Sequence, residues 1–155
     1  MSVPSIAQRL AELGITLPTP SAPLASYVPV VEHGGLATVS GQLPFAPDGT
    51  LPSGRLGDGV SLEEGQAAAR RCAIMILAQL AQAGALERIE RIVRLGVFVA
   101  CAPGFTEQHK VANGASDLLA EVLGEAGRHA RAAVGVADLP LGVPVEVDAI
   151  VALRR

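Results

Sequence analysis

His129-Ala130-Arg131-Ala132-Ala133-Val134-Gly135-Val136-Ala137-Asp138-Leu139-Pro140, with Val145-Glu146-Val147-Asp148 close behind, reads as two β-strands joined by a Pro/Gly turn. Each strand sets a charge between apolar neighbours: Arg131 on the first, Glu146 on the second. A charge in that setting must be paired, solvated or functional, because an unpaired buried ion costs on the order of several kcal/mol or gives up its charge. If the chain has a chemical centre, it is expected here.

Outward from that stretch, helical and strand patterns alternate. Ser5-Ile6-Ala7-Gln8 has the form of a capping box, and Ile6, Leu10 and Leu13 recur at helical spacing before Gly14 ends the segment. Residues 17–23 are too rich in proline for a helix or a central strand. Residues 1–23 thus read as a helix and proline-rich extension on a single domain spanning 1–155. Tyr27 to Glu32 reads as an edge strand, because Pro29 cannot donate to a ladder, and His33-Gly34-Gly35 turns it into a second strand over Leu36–Gly41. A Gly/Pro/Asp loop follows. Ser61-Leu62-Glu63-Glu64 opens the main helix as a second capping box, with polar positions at Arg70, Arg71, Gln79 and Gln82 and Gly84 as its stop. Ile92–Ala100 is a β-branched strand, and a third helix runs from about Phe105 to Leu123. The order predicts an α/β (α+β) sandwich, two long helices covering one face of a mixed sheet. The other face then needs a partner. A positive mean hydropathy in so small a domain makes a second copy of the chain the simplest one.

Composition narrows the function. Half of the 155 residues are apolar and the net charge is −3, with no Lys/Arg cluster that would release counterions from phosphates. That argues against nucleic acid. The two cysteines, Cys72 and Cys101, fit no CxxC or Cys/His pattern and are expected to be reduced, which with the absence of a leader-like or ~20-residue apolar run predicts a cytoplasmic protein without a membrane span. His33, His109 and His129 stand at no metal-ligand spacing, so no metal is expected, and no nucleophile elbow, dinucleotide fingerprint or P-loop is present. Arg131 and Glu146 remain. An arginine fork matches a carboxylate through two parallel hydrogen bonds, and a part-buried Glu can orient or deprotonate water. From pattern alone, a cross-strand Arg–Glu ion pair that fixes register is the commoner explanation.

Ser40-Gly41-Gln42-Leu43-Pro44, Ala130-Arg131-Ala132-Ala133-Val134 through Leu139-Pro140, and Val145-Glu146-Val147, in that order and separation, resemble the Rid family. These are the YjgF-type reactive-intermediate deaminases, often labelled endoribonuclease L-PSP. The resemblance runs from about Tyr27 to the C-terminus. It implies a chorismate-mutase-like fold, a homotrimer with a site in each cleft between subunits, and hydrolysis of enamines and imines such as 2-aminoacrylate to 2-keto acids and ammonium without a cofactor. It further implies that Arg131 holds the carboxylate of a small metabolite and Glu146 positions water. Tyr27 and Gly41 would line the cleft, Asn113 would sit near Arg131, and Ala133 would contribute its backbone where a family member has Cys. Residues 5–23 are additional to the short deaminases and resemble a distinct branch. Two alternatives stand beside this reading. One is a non-catalytic carboxylate-binding or regulatory trimer. The other, RNA cleavage, rests on the family label and is opposed by the acidic charge.

Overall fold

The computed structural model describes residues 2–23 and 25–155; Met1, the first residue of the expected extension, and Leu24 lie outside the described residues. The first helix, α1 (Ile6–Glu12), starts where the sequence places it. Ser5 Oγ accepts from the Gln8 N–H at 3.1 Å, and the Gln8 side chain accepts from the Ser5 N–H at 2.8 Å. The proline segment follows without regular structure. Strand β1 (Val30–His33) turns at Gly34 and Gly35, whose φ of 62° and 80° are open to glycine, into β2 (Leu36–Gln42). Two short segments, β3 (Arg55–Leu56) and β4 (Gly59–Val60), form a small parallel ladder. Helix α2 (Leu62–Gln82) is capped by Ser61, whose Oγ accepts from the Glu64 N–H; the return bond of a full capping box is not formed. Strand β5 (Ile89–Ala100), α3 (Gln108–Leu123), β6 (Ala130–Val136) and β7 (Val145–Leu153) complete the chain.

The five long strands form one mixed sheet in the order β1-β2-β7-β5-β6. Only β5 and β6 are parallel. Helix α2 lies over β7 and β2, and α3 lies over β5 and β6, so both long helices cover the same face as expected. With few aromatics in the chain, the core between the layers is aliphatic: Leu56, Ile76, Leu77, Leu80, Ile92, Leu95, Leu118 and Leu119 are fully buried. Strand β7 alternates buried and half-buried residues along its whole length, the period of a strand with one covered and one open face. Among the described residues no helix is long and apolar enough to cross a membrane.

The expected pairing of the two opening strands does not occur. Strand β5 lies between β6 and β7, so Arg131 is level with Leu95 and Glu146 with Phe98. The cause is connectivity. A strand, α3 and a returning strand make a crossover unit that lays β6 parallel beside β5, and eight residues then carry the chain over to β7. Three boundaries also move. Tyr27 and Val28 stay outside β1, which begins after Pro29. Strand β5 begins at Ile89, because irregular pairing around Ile89–Arg91 and Ile92–Arg94 breaks the alternation that would mark its start. Helix α3 begins at Gln108, since Phe105 closes a turn on Ala102.

Candidate functional site

Arg131 and Asn113 do come together. Leu95, paired with Arg131, faces the helices, so Arg131 leans from the edge strand beneath α3. Its Nη1 donates to Asn113 Oδ1 at 2.9 Å and to Ser116 Oγ at 3.0 Å, and its Nη2 donates to the His109 carbonyl at 3.2 Å. Asn113 and Ser116 are three residues apart and share a helix face, which is why both reach one guanidinium. Three of its five N–H groups are committed to α3. The Nε–H and one Nη2–H are left without a partner among these bonds, two donors of the kind a carboxylate accepts. Among the described residues no carboxylate lies within ion-pair distance of Arg131.

Behind Ser116 stands His129, which the sequence offered no role. Its Nδ1 lies 2.6 Å from the Gly127 carbonyl oxygen and its Nε2 lies 2.9 Å from Ser116 Oγ. Burial holds its pKa below the ordinary 6.5; the Gly127 carbonyl opposes that, and the Arg131 charge adds to it. An open depression of about 250 Å³ lies beside these groups, lined by Ser116, Asp117, Ala120, Arg128, His129 and Arg131. The signal for Ser116 and His129 was present but faint. Positions i and i+3 of a helix share a face with Asn113, and positions two apart in an extended chain share a face with Arg131.

Glu146 belongs to the other face. Its row across the sheet is Glu146, Phe98 and Val134, none of them covered by a helix. Burial pushes its carboxyl above the ordinary carboxylate value, with the Asp148 charge adding to the shift, and no donor among the described residues bonds to it. Gly41 is set against it by a bulge: β2 spends three residues from Val39 to Gln42 where β7 spends two. The buried amide of Gln42 secures that bulge, donating to the Ser40 carbonyl at 3.0 Å and accepting from Gln79 Nε2 of α2 at 3.2 Å. Gln79, expected as a polar position, is therefore buried and structural. A Cβ on Gly41 would lie 2.8 Å from Glu146 Cδ and 2.9 Å from Oε2, so only glycine leaves the carboxylate its place.

Arg131 and Glu146 thus lie on opposite faces, two strand spacings apart across the sheet (about 10 Å) and three residues apart along it (about another 10 Å). They form no cross-strand ion pair. Tyr27 is 57% exposed, just before β1. Ala133 is part-buried on β6, two residues from Arg131 and on its face. The chain therefore holds these residues in two separate groups: Arg131, Asn113 and Ala133 beneath α3, and Glu146 with Gly41 on the open face. The additional helix α1 docks on the C-terminal end of α3, where Arg9 Nε donates to the Glu121 carbonyl at 3.1 Å, away from Asn113. Among the described residues no group of three or more His, Cys, Asp or Glu could hold a metal ion.

Residues 7–150 match the family model described as "YjgF/chorismate_mutase-like, putative endoribonuclease". Protein TCP17 of Trypanosoma cruzi is 53% identical over 152 residues, covering 97% of this chain and 95% of that protein. The crystal structure of Atu1372 from Agrobacterium tumefaciens, a protein of unknown function, is 50% identical with a TM-score of 0.87, covering 97% of this chain and 94% of that one. The E. coli protein TdcF, solved with bound serine, is 26% identical with a TM-score of 0.64; the match covers 88% of this chain and 94% of that one.

Proposed function

The chain belongs to the YjgF/chorismate mutase-like family, and from that premise we propose that it hydrolyses reactive enamines and imines of the 2-aminoacrylate type to 2-keto acids and ammonium. The observation that carries this reading is the Arg131 guanidinium, held by three bonds to α3 with two donors left over for a carboxylate. The serine bound by TdcF, a small carboxylate-bearing amino acid, supports the same ligand class.

A homotrimer would join the two groups as half-sites of one cleft. The open sheet face of one subunit, with Glu146, Gly41 and Tyr27, would meet the α3–β6 edge of the next, with Arg131, Asn113 and Ala133. Hydrophobic side chains on the open face, Leu36 at 43% exposure and Val134 at 46%, support a covered surface there. In such a cleft Arg131 fixes the carboxylate, and the iminium tautomer is electrophilic at the carbon next to it. Glu146 takes a proton from water as the water oxygen bonds to that carbon. Glu146 then returns that proton to the nitrogen, the C–N bond breaks as the hydroxyl releases its hydrogen, and the released ammonia takes up that proton, so that the iminium plus water becomes pyruvate plus ammonium. A carboxyl held above its ordinary value is a stronger base than a free carboxylate for taking that proton.

The test couples a serine dehydratase, which releases 2-aminoacrylate, to this protein and follows keto-acid formation. Wild type accelerates release over buffer. Arg131→Ala loses about 100-fold, roughly 3 kcal/mol, while Arg131→Lys keeps charge but not the fork and falls between. No acceleration, or full activity in Arg131→Ala, overturns the deaminase reading. The serine seen in TdcF also favours a second reading, a carboxylate-binding trimer without turnover, which predicts saturable pyruvate binding and no acceleration.

A further inference from the structure

The group behind the clamp is a histidine, and its hydrogen bonds have a direction. The Gly127 carbonyl can only accept, so Nδ1 of His129 carries a hydrogen. Ser116 Oγ already accepts from Arg131 Nη1, so its own hydrogen is free to go to Nε2, which accepts it when the imidazole is neutral. The chain of bonds then runs without conflict: Ser116 donates to His129 and turns its oxygen lone pairs to the guanidinium. A second proton on His129 reverses the link. Nε2–H would donate to Ser116 Oγ, the hydroxyl hydrogen would have to find another acceptor, and a second cation would stand behind Arg131.

We propose that His129, acting through Ser116, is a positioning residue that keeps the Arg131 clamp aligned only while its imidazole is neutral, so that carboxylate binding weakens in acid. The inference rests on Arg131 being the carboxylate clamp. The charged groups sharing the depression with His129 are Asp117 from α3, Arg128 at the turn before β6 and Arg131 itself. Arg91 of β5 reaches the same turn and donates to the Arg128 carbonyl. Arg131 is the neighbour whose charge opposes protonation. The half-buried setting acts in the same direction.

Pyruvate is the probe. Its affinity is measured calorimetrically from about pH 7.5 down to about pH 4, well below the ordinary histidine value because that of His129 is lowered, for wild type, Ser116→Ala and His129→Gln. The Gln side-chain oxygen can accept from Ser116 but does not titrate. Wild type loses about tenfold more affinity in acid than His129→Gln, the scale of one charge-assisted hydrogen bond. Ser116→Ala is weak throughout. Titration of Glu146 is common to wild type and His129→Gln and cancels in that comparison. Equal acid losses in those two proteins overturn the proposal. Nitrogen NMR of histidine-labelled wild type gives an answer independent of binding. A hydrogen on Nδ1 and a bare Nε2 at neutral pH support the relay, and the opposite tautomer overturns it. If pyruvate binds at no pH in that range, the carboxylate reading fails. The positioning claim is then decided by the Arg131 Nε–H resonance: acid broadening in wild type but not in His129→Gln supports it, and identical behaviour overturns it.

Discussion

Gly41 and Glu146 make the sharpest case at the scale of single residues. A methyl on Gly41 meets the far end of a flexible side chain and not backbone, so Gly41→Ala displaces the Glu146 carboxylate without disrupting the sheet. The expected result is at least a tenfold fall in kcat with a melting temperature within a few degrees of wild type, the size of a surface-like change of about 0.5 kcal/mol. Glu146 itself carries a stability cost. Its folded carboxyl binds a proton more tightly than the ordinary value of 4.5, so the native state is progressively disfavoured as pH rises from that value through the raised one. Glu146→Gln removes the ionisable group. Denaturant titration finds the variant the more stable protein at neutral pH and finds the difference closing near pH 4, with activity lost throughout. A variant no more stable at pH 7 than at pH 4, each relative to wild type, would contradict the assigned environment. At this scale the sequence was partly legible. Arg131 and Glu146 announce themselves as charges in apolar strands, whereas Ser116 and His129 carry only a faint spacing signal and the structural role of Gln79 emerges from its tertiary partner.

Among elements, the contact that matters most for Arg131 is between α2 and α3. A Cβ on Gly114 would run into the Gln66 carbonyl oxygen of α2, and Gln66 Nε2 donates to the Lys110 carbonyl one turn away at 2.9 Å. Glycine therefore sets how closely α3 approaches α2, and Asn113, its neighbour in sequence, inherits that position. Gly114→Ala destabilises by about 1–3 kcal/mol through overpacking, despite alanine's better helix propensity, and weakens the hold on Arg131. Chemical denaturation of the variant, read beside its activity, measures both; a stabilised variant would mean that the helices part freely. The helices and strands themselves were legible because their signals are local: capping serines, glycine stops and the alternation along β7. Strand order was not. Nothing within residues 130–148 says that β5 enters between its two strands, since that follows from the crossover through α3.

In the molecule as a whole, one sheet face lies beneath α2 and α3, while the other carries Glu146, Phe98, Val134, Ile150 and Leu36. The expectation of a covering partner comes from the apolar composition of a small domain. That the two groups point away from each other was not legible, because it depends on the strand order. The account therefore rests on Arg131 of one subunit working with Glu146 of another. The direct test mixes two inactive proteins, Arg131→Ala and Glu146→Gln, unfolds and reassembles them together, and verifies subunit exchange by native mass spectrometry. Random mixing in a cyclic trimer leaves about one quarter of the clefts with both residues intact. Deaminase activity is expected to recover to about one quarter of wild type; mixed oligomers as inactive as their parents would show that Arg131 and Glu146 do not work across subunits.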